Sequence, residues 1–412
     1  MSFILNEDQE RIVTEGVNFL LNSPEQVFEF AGEAGTGKSV VLNEIIHRAR
    51  MITGSRFTPH RILPMAYTGQ AAIVMRTKGF TTAKTIHSTL LEPVDVPVTD
   101  QYGIPMMNTQ LNTPIMHTKY LPRKIISSEY DAMIIDEGKM VPLDMKNMIE
   151  KPGIKIIVAG DEGQLPPITG ESAYINQYSK IRRLTQLMRQ AEDSSLVYLA
   201  HRARHGLPIH AGYYPSIYGN VLVIEETELT NEMISASNVV VCYTNRTREK
   251  INNRVRHEIL GIDSTIPVLG ERVICRKNNW KETVGDISLA NGLTGTVITP
   301  PNVTEFTGDT FTMDFLPDLI NQPFEKVICD YQYFKADPKL RPALKNNPYN
   351  FGNKFELAYA LTAHLSQGAE YFQGIYFQEN VADPNIRNNI DYTGITRFKQ
   401  NAIIVIPSRK YY

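Results

Sequence analysis

The stretch with the most specific chemical spacing is Gly32–Ser39, which reads Gly-Glu-Ala-Gly-Thr-Gly-Lys-Ser. It fits G-x-x-x-x-G-K-[ST], the pattern of a loop that wraps the phosphates of a nucleoside triphosphate. In such a loop the lysine, Lys38, reaches the β and γ oxygens, and the hydroxyl of Ser39 holds Mg²⁺. ATP and Mg²⁺ are therefore the expected cofactors. The nucleotide contacts are expected from Gly32, Glu33, Ala34, Gly35, Thr36, Gly37, Lys38 and Ser39.

The segments on either side of this loop predict the elements that hold it. Residues 27–30 read as a strand, and residues 40–50 carry apolar side chains at helical spacing. A helix that begins at Gly37 points its positive dipole end at the phosphates. A glycine-rich strand-to-helix turn without a ligand is the alternative, and these flanks favour the nucleotide site.

Two carboxylates follow a second apolar segment. Residues 132–135 predict a buried parallel strand, and Asp136 and Glu137 come directly after it. The carboxyl ends of parallel strands are where doubly wound sheets bind ligands. Asp136 is expected to hold Mg²⁺ through water, and Glu137 to orient and deprotonate the attacking water. An acidic surface turn is the alternative.

Three more side chains are candidates for the same site. Gln164 follows the apolar strand 154–159, where its neutral amide could contact the γ-phosphate. Arg189 lies just past another strand, and it is either a phosphate ligand or a solvated arginine. Gln9 stands three residues after Asn6, which is the spacing of a helix capping box. The functional alternative for Gln9 is that its amide reads an adenine edge.

Composition limits the classes of protein that need considering. The chain has 412 residues, 42% of them hydrophobic, and a formal charge of −2. No apolar run approaches the ~20 residues of a membrane helix. The start of the chain is acidic, so no signal peptide is expected. The three cysteines form no CxxC pair, which favours reduced thiols in the cytoplasm. With no global basic charge, any nucleic acid must lie in a local groove.

The order of predicted elements indicates an α/β protein with two doubly wound halves and two insertions. Residues 91–123 interrupt the first half with alternating valines and a turn around Tyr102, which predicts a β-hairpin or a plain surface loop. Residues 278–355 carry short strands and prolines that predict a small β-barrel. The first half then comprises 1–90 and 124–178, and the second comprises 179–277 and 356–412.

The ordered set of motifs resembles that of superfamily 1 DNA helicases. It is most similar to the RecD-like branch and, within that branch, to the Dda-type helicases of T-even bacteriophages. The matching segments run from Gln9 to Arg397 and so cover nearly the whole chain. They are Leu5–Gln9 (an adenine-reading motif), Gly32–Ser39, Ala66–Ala72, Thr85–Ser88, Asp136–Glu137, Gly160–Pro167, Leu184–Arg189, Thr362–Gly368 and Tyr392–Arg397.

This resemblance implies roles that spacing does not supply. The two halves become RecA-like lobes, and Gln9 reads adenine. Arg189 and Arg397 act as arginine fingers from the second lobe, where such fingers are worth ~10³–10⁵ in rate. A single strand of DNA crosses both lobes and is expected to touch Thr68, His87, Thr362 and His364, with Tyr102 at the tip of a separating pin.

The expected function is an ATP-dependent DNA helicase that moves 5′→3′ on single-stranded DNA and unwinds forked duplex. The direction is implied by the resemblance alone. Two alternatives stay open: an ATP-switched factor that binds or remodels nucleic acid without processive unwinding, and a small-molecule P-loop kinase. The expected setting is a cytoplasmic monomer, encoded by a phage or its host. It would act in DNA replication, recombination or repair, with a single-strand-binding or replication protein as a partner.

Overall fold

In the computed structural model the described residues are 4–108, 113–168, 170–188, 193–303, 309–345 and 352–408. The chain divides into two compact units. The first comprises Met1–Lys84, Ile126–Gly261 and Tyr359–Tyr412, and the second comprises Thr85–Ile125 and Ile262–Ala358. None of the described helices is long and apolar enough to cross a membrane.

The helices of the first unit begin at hydrogen-bonding caps in most cases. Asn6, Thr68, Ser194, Thr230 and Thr244 each accept an N–H of the first turn, as N-cap residues do. These helices are α1 (Glu7–Asn22), α2 (Lys38–Thr53), α3 (Gly69–Thr77), α5 (Lys146–Glu150), α6 (Ser195–Arg204), α7 (Asn231–Ser235), α8 (Asn245–Asn253, continued by a π-helix Arg254–Ile259) and α11 (Pro384–Ile395). The helices of the second unit are α4 (Ile86–Leu90), α9 (Tyr331–Lys335) and α10 (Arg341–Lys345).

The first lobe is built on a sheet whose central strands run parallel. Its order is β10-β1-β9-β8-β2-β3. The strands are β1 (Val27–Gly32), β2 (Ile62–Ala66), β3 (Lys84–Thr85), β8 (Ala132–Asp136), β9 (Lys155–Gly160) and β10 (Ile181–Leu184). Phe28 and Phe30 of β1 lie fully buried in the core that α1 and α2 cover. This packing places the carboxyl ends of β1, β8 and β9 side by side.

The second lobe repeats this arrangement without a phosphate loop of its own. Its sheet order is β11-β12-β24-β23-β13-β22, parallel except for the β11–β12 pair. The strands are β11 (Gly212–Tyr214), β12 (Val221–Glu225), β13 (Val240–Cys242), β22 (Ala360–Thr362), β23 (Tyr371–Phe377) and β24 (Phe398–Ile406). The predicted α/β class, with doubly wound parallel sheets, is confirmed.

A long antiparallel hairpin forms part of the second unit. It pairs β4 (Leu91–Pro97) with β7 (Met116–Pro122), from Leu91 opposite Pro122 to Pro97 opposite Met116. The short strands β5 (Met107–Asn108) and β6 (Thr113–Pro114) pair farther out. A smaller turn forms around Tyr102, where Thr99 bridges Pro105 and the N–H of Met106 donates to the carbonyl of Val98. The alternation of valines fixes which face a side chain takes but not how far the pairing extends, so the pairing of β4 with β7 could not be derived from it.

The rest of the second unit is a small antiparallel sheet that nearly closes on itself. Its order is β18-β19-β17-β14-β21, and β20 also pairs with β19. Asn353 bridges to Cys329 of β20 just before β21 pairs with β14, so residues 353–357 join the two edges. The first strand of this sheet begins at Arg272, before residue 278, where the sequence predicts the start of the β-barrel insertion. The strands of this sheet are β14 (Arg272–Cys275), β17 (Thr294–Val297), β18 (Asn302–Val303), β19 (Thr310–Pro317), β20 (Phe324–Asp330) and β21 (Phe355–Leu357). β15 (Asn279–Val284) and β16 (Ile287–Leu289) form a separate antiparallel pair.

Candidate nucleotide-binding site

The phosphate loop has the backbone that its glycines predict. It runs from the end of β1 to Lys38 at the start of α2, and Gly35 and Gly37 adopt left-handed φ angles of 85° and 83°. The left-handed φ of Gly37 favours glycine, and a Cβ there would lie 2.6 Å from Nε2 of Gln9 and displace that amide. The ammonium of Lys38 donates to the carbonyls of Gly32 (2.8 Å) and Glu33 (3.1 Å). Its charge is therefore held inside the loop.

Gln9 is buried, and both ends of its amide have partners. Its Oε1 accepts the N–H of Asn6, and Asn6 accepts the N–H of Gln9, which completes a capping box. Its Nε2 donates to the carbonyl of Thr36 at 2.9 Å. Gln9 thus ties α1 to the phosphate loop. Its reading of adenine stays a prediction.

The two predicted acids lie together at the end of β8. Asp136 accepts the N–H of Glu137 at 2.9 Å, and Glu137 takes a left-handed φ of 54°. A non-glycine residue in that region is uncommon and turns the side chain away from the strand direction. Burial raises the pKa of Glu137 above its ordinary value of 4.5, while the charge of Arg397 opposes part of that shift.

Gln164 and Arg397 approach Glu137 from two different lobes. Nε2 of Gln164 lies 3.5 Å from Oε1 of Glu137, and the buried Oε1 of Gln164 has no hydrogen-bond partner among the described residues. Arg397 is 4% exposed, and among the described residues it donates only to neutral oxygens, those of Thr393, Ala369 and Thr396. A buried guanidinium without a carboxylate partner is costly, and it suits an anionic ligand.

These groups line one cavity of about 350 Å³ within the first unit. Its wall includes Lys38, Ser39, Asp136, Glu137 and Gln164 from the first lobe and Arg397 from the second. The oxygens of Ser39 and Asp136 are the hard donors that Mg²⁺ prefers, and Mg²⁺ typically takes one or two carboxylates plus substrate phosphates and water. Among the described residues, no group of three or more histidine, cysteine, aspartate or glutamate side chains is arranged to hold a metal ion. The donor set fits a nucleotide-bound Mg²⁺.

Several residues of the site went unassigned in the sequence. Lys78 and Lys399 both pair with Glu370, and despite its burial their charges lower the pKa of Glu370 to about 2. All three line the cavity. The hydroxyl of Tyr392 accepts the N–H of Ala34 in the phosphate loop and donates to Asp161. No local pattern could have found these contacts because each one joins segments far apart in the chain.

The residues predicted to contact DNA lie in several places. Thr68 caps α3. Thr362, at the end of β22 and two residues before His364, accepts the N–H of Leu365. Burial lowers the pKa of His364. His87 and Tyr102 belong to the second unit, where His87 lies in α4 and Tyr102 is 79% exposed. Arg189 lies outside the described residues.

Comparison with known proteins bears on the family. A family model described as an AAA domain matches residues 4–216, just over half of the chain. The chain belongs to the AAA domain family. This AAA domain protein is also 28% identical over 190 residues to an uncharacterized protein of Methanocaldococcus jannaschii. That match covers 43% of this chain and only 15% of the length of the relative.

Solved structures share the fold of this AAA domain protein along nearly its whole length. A Pif1 helicase from Bacteroides, in complex with ADP-AlF3 and ssDNA, is 17% identical with a TM-score of 0.54, covering 99% of this chain and 95% of that one. Pif1 helicase from Candida albicans is 17% identical with a TM-score of 0.51, covering 99% and 97%. A structure of two coordinating Pif1 helicases at forked dsDNA is 17% identical with a TM-score of 0.55, covering 98% and 95%. At these identities the likeness establishes the fold, with its RecA-like lobes.

Proposed function

We propose that this protein is an ATP-driven DNA helicase of superfamily 1 that moves along single-stranded DNA and unwinds forked duplex. One observation carries the proposal: Arg397 of the second lobe lies buried in the cavity of the phosphate loop, and no carboxylate of the described residues pairs with it. A nucleotide phosphate bound by the first lobe would supply an anionic partner for Arg397. ATP would therefore hold the two lobes together, and its hydrolysis would release them.

The chain's own residues divide the hydrolysis chemistry between them. Lys38 would bind the β and γ oxygens, and Ser39 with Asp136 would hold Mg²⁺, which neutralises the developing phosphate charge. Glu137 would accept the proton of the attacking water, held in place by its contact with Gln164. Arg397, and Arg189 with it, would stabilise the charge on the transferred γ-phosphoryl group.

Direct hydrogen bonds between the lobes offer a route from this chemistry to DNA. The N–H of Leu165, directly after Gln164, donates to Thr393, and its carbonyl accepts the side-chain amide of Gln367 at 2.9 Å. Gln367 lies in the turn that carries Thr362 and His364, two of the residues proposed to touch the strand. A change at the γ-phosphate would then move the DNA-contacting turn through Gln164 and Leu165.

The Pif1 structures support a nucleic-acid substrate because Bacteroides Pif1 is bound there to ADP-AlF3 and ssDNA. The proposed 5′→3′ movement rests on the resemblance of the motifs to those of the RecD-like branch. Thr68 and His87 complete the proposed set of strand contacts. The protein would act as a cytoplasmic monomer, encoded by a phage or its host, in replication, recombination or repair. A single-strand-binding or replication protein would be its partner.

Turnover is expected to depend on pH through Glu137. Burial raises the pKa of this carboxyl, so its protonated form persists to higher pH than for an ordinary glutamate. A protonated carboxyl cannot accept the proton of water, so kcat/KM, which reports the free enzyme, should fall as pH decreases, with a midpoint above 4.5. The measurement is kcat/KM for ATP against pH, with nucleotide affinity followed over the same range. A midpoint at or below 4.5, or affinity that follows the same curve as kcat/KM, would argue against Glu137 as the base.

The hairpin is proposed as the pin that separates the strands. Within the second unit Tyr120 of β7 stacks on Trp280 with ring centroids 4.4 Å apart, and Asp95 pairs with Lys281. These contacts would hold the hairpin rigid while it bears on the duplex. Tyr102 lies in the turn at the tip, where Asp100 accepts the N–H groups of Tyr102 and Ile104.

Replacing Tyr102 by alanine should slow fork unwinding about tenfold, since base–aromatic stacking is worth about 1–3 kcal/mol. ATP chemistry lies in the first unit, so DNA-stimulated ATPase and streptavidin displacement from single strands should persist. Tyr178→Ala is the matched control because Tyr178 is a similarly exposed tyrosine (80%) of the first unit. If unwinding and displacement fall together, or neither changes, Tyr102 is not the wedge.

The experiment that tests the proposed function is unwinding of two forks that carry opposite single-stranded overhangs. We expect ATP-dependent separation of the fork with a 5′ overhang and little of its counterpart. Preference for the 3′ overhang would overturn the polarity alone. DNA-stimulated ATPase without unwinding of either fork would favour the ATP-switched remodelling factor.

A further inference from the structure

Arg204, at the end of α6 in the second lobe, contacts two acids beside the phosphate loop. Its Nε lies 3.2 Å from the carboxylate of Glu33, which belongs to the loop itself. Its NH1 lies 2.8 Å from Oδ1 of Asp161, the residue after β9. Its guanidinium also lies over the ring of Tyr392, 5.4 Å from the centroid. One arginine therefore bridges both acids.

The absence of a side chain at Gly163 leaves room for the guanidinium of Arg204. A Cβ on Gly163 would lie 2.5 Å from NH1 of Arg204. The N–H of Gly163 donates to the same oxygen of Asp161 that Arg204 contacts. Asp161 is 1% exposed, so Arg204 offsets a charge that water cannot reach.

The same acids lie beside the lysine that is proposed to bind phosphate. Nζ of Lys38 is 3.9 Å from Oδ2 of Asp161 and is bound by the backbone carbonyl of Glu33. Without Arg204 the loop's own cation, Lys38, would face two nearby carboxylates, with the charge of Lys139 acting on Asp161 from outside the loop. Asp161 would then draw Lys38 more strongly, and the cradle would repel an anionic ligand.

We propose that Arg204 is a positioning residue for the nucleotide: by neutralising Glu33 and Asp161 it keeps Lys38 available for phosphate. This inference rests on the proposed nucleotide site. It also makes affinity depend on the second lobe through a residue other than the proposed arginine fingers. Arg204 need not touch the nucleotide, since it acts through the charge of the loop.

The test is the affinity of the full chain for fluorescent mant-ADP in four variants. Arg204→Gln should weaken binding about tenfold, because Arg204, its two acids and Lys38 are neighbouring charges whose effects are coupled. The double variant Arg204→Gln/Glu33→Gln has the formal charge of the wild type and should regain most of that affinity. Arg204→Lys keeps the charge and should bind more tightly than Arg204→Gln. Arg183→Gln, which breaks an exposed pair with Glu162, is the matched control and should bind like the wild type.

Rescue by charge separates this role from a structural one. If Arg204 only fastened α6 to the loop, removing both ends of the contact would not restore affinity. A double variant no better than Arg204→Gln, or an Arg204→Gln protein that binds like the wild type, would overturn the proposal while leaving the nucleotide site intact. Failure of the wild type to bind mant-ADP would instead remove the nucleotide site, and this inference with it.

Discussion

Replacing Arg397 by alanine is expected to slow ATP hydrolysis by about 10³–10⁵-fold, the range that arginine fingers contribute. The guanidinium is buried in the cavity, and its hydrogen-bond partners within the described part of the chain are neutral oxygens, so its charge is available to an anionic ligand. Charge on the transferred phosphoryl group is redistributed in the transition state, so the loss should fall on kcat far more than on nucleotide affinity. The measurement is kcat together with the dissociation constant of a non-hydrolysed ATP analogue.

Two variants serve as controls for this result. Arg397→Lys keeps the charge but not the planar fork, and it should recover only part of the rate. Arg387→Ala changes an arginine of α11 that is not part of the cavity wall, and its turnover should match the wild type. Equal losses of affinity and rate in Arg397→Ala would mean that Arg397 binds the ground state and is not a finger.

Replacing Lys38 by alanine should lower turnover by more than about 10²-fold, as loss of a preorganised cation at a phosphate does. Lys38 is the cation of the phosphate loop, and the carbonyls of Gly32 and Glu33 already position its ammonium. Unlike Arg397→Ala, Lys38→Ala should also weaken nucleotide binding, because Lys38 would bind the β-phosphate in both the ground state and the transition state.

The control is Lys146→Ala, which removes a partly exposed lysine of α5 that pairs with Glu150. Its ATPase rate and melting temperature should match those of the wild type. Turnover by Lys38→Ala at the wild-type rate would show that the loop 32–39 is not the phosphate site.

The first lobe was predictable where local rules suffice. The strand before Gly32 and the helix after Gly37 follow from apolar spacing and glycine chemistry, and both form. Asp136 and Glu137 could be placed beside the loop because parallel strands end at one edge of the sheet. Their proximity to Arg397 could not be derived this way, because the relative position of two lobes does not follow from the local sequence of either lobe.

Gln9 and Arg204 illustrate the limits of sequence patterns. The capping-box spacing of Gln9 was visible, but its second bond, to Thr36, depends on how α1 packs on the loop. Arg204 has no motif around it, and its partners Glu33 and Asp161 lie far away in the chain. The turn around Tyr102 was visible in the sequence, but the pairing of β4 with β7 was not, because strand alternation specifies faces and not neighbours.

The most direct measurement of the central claim is the steady-state ATPase rate of the purified protein with and without single-stranded DNA. A translocating helicase couples its two lobes through the strand, so we expect hydrolysis in Mg²⁺ buffer to rise at least about tenfold when DNA saturates the protein. The rise should be absent in Lys38→Ala. Hydrolysis that DNA does not change would contradict a DNA-driven motor, and hydrolysis stimulated by a small molecule instead would favour the P-loop kinase.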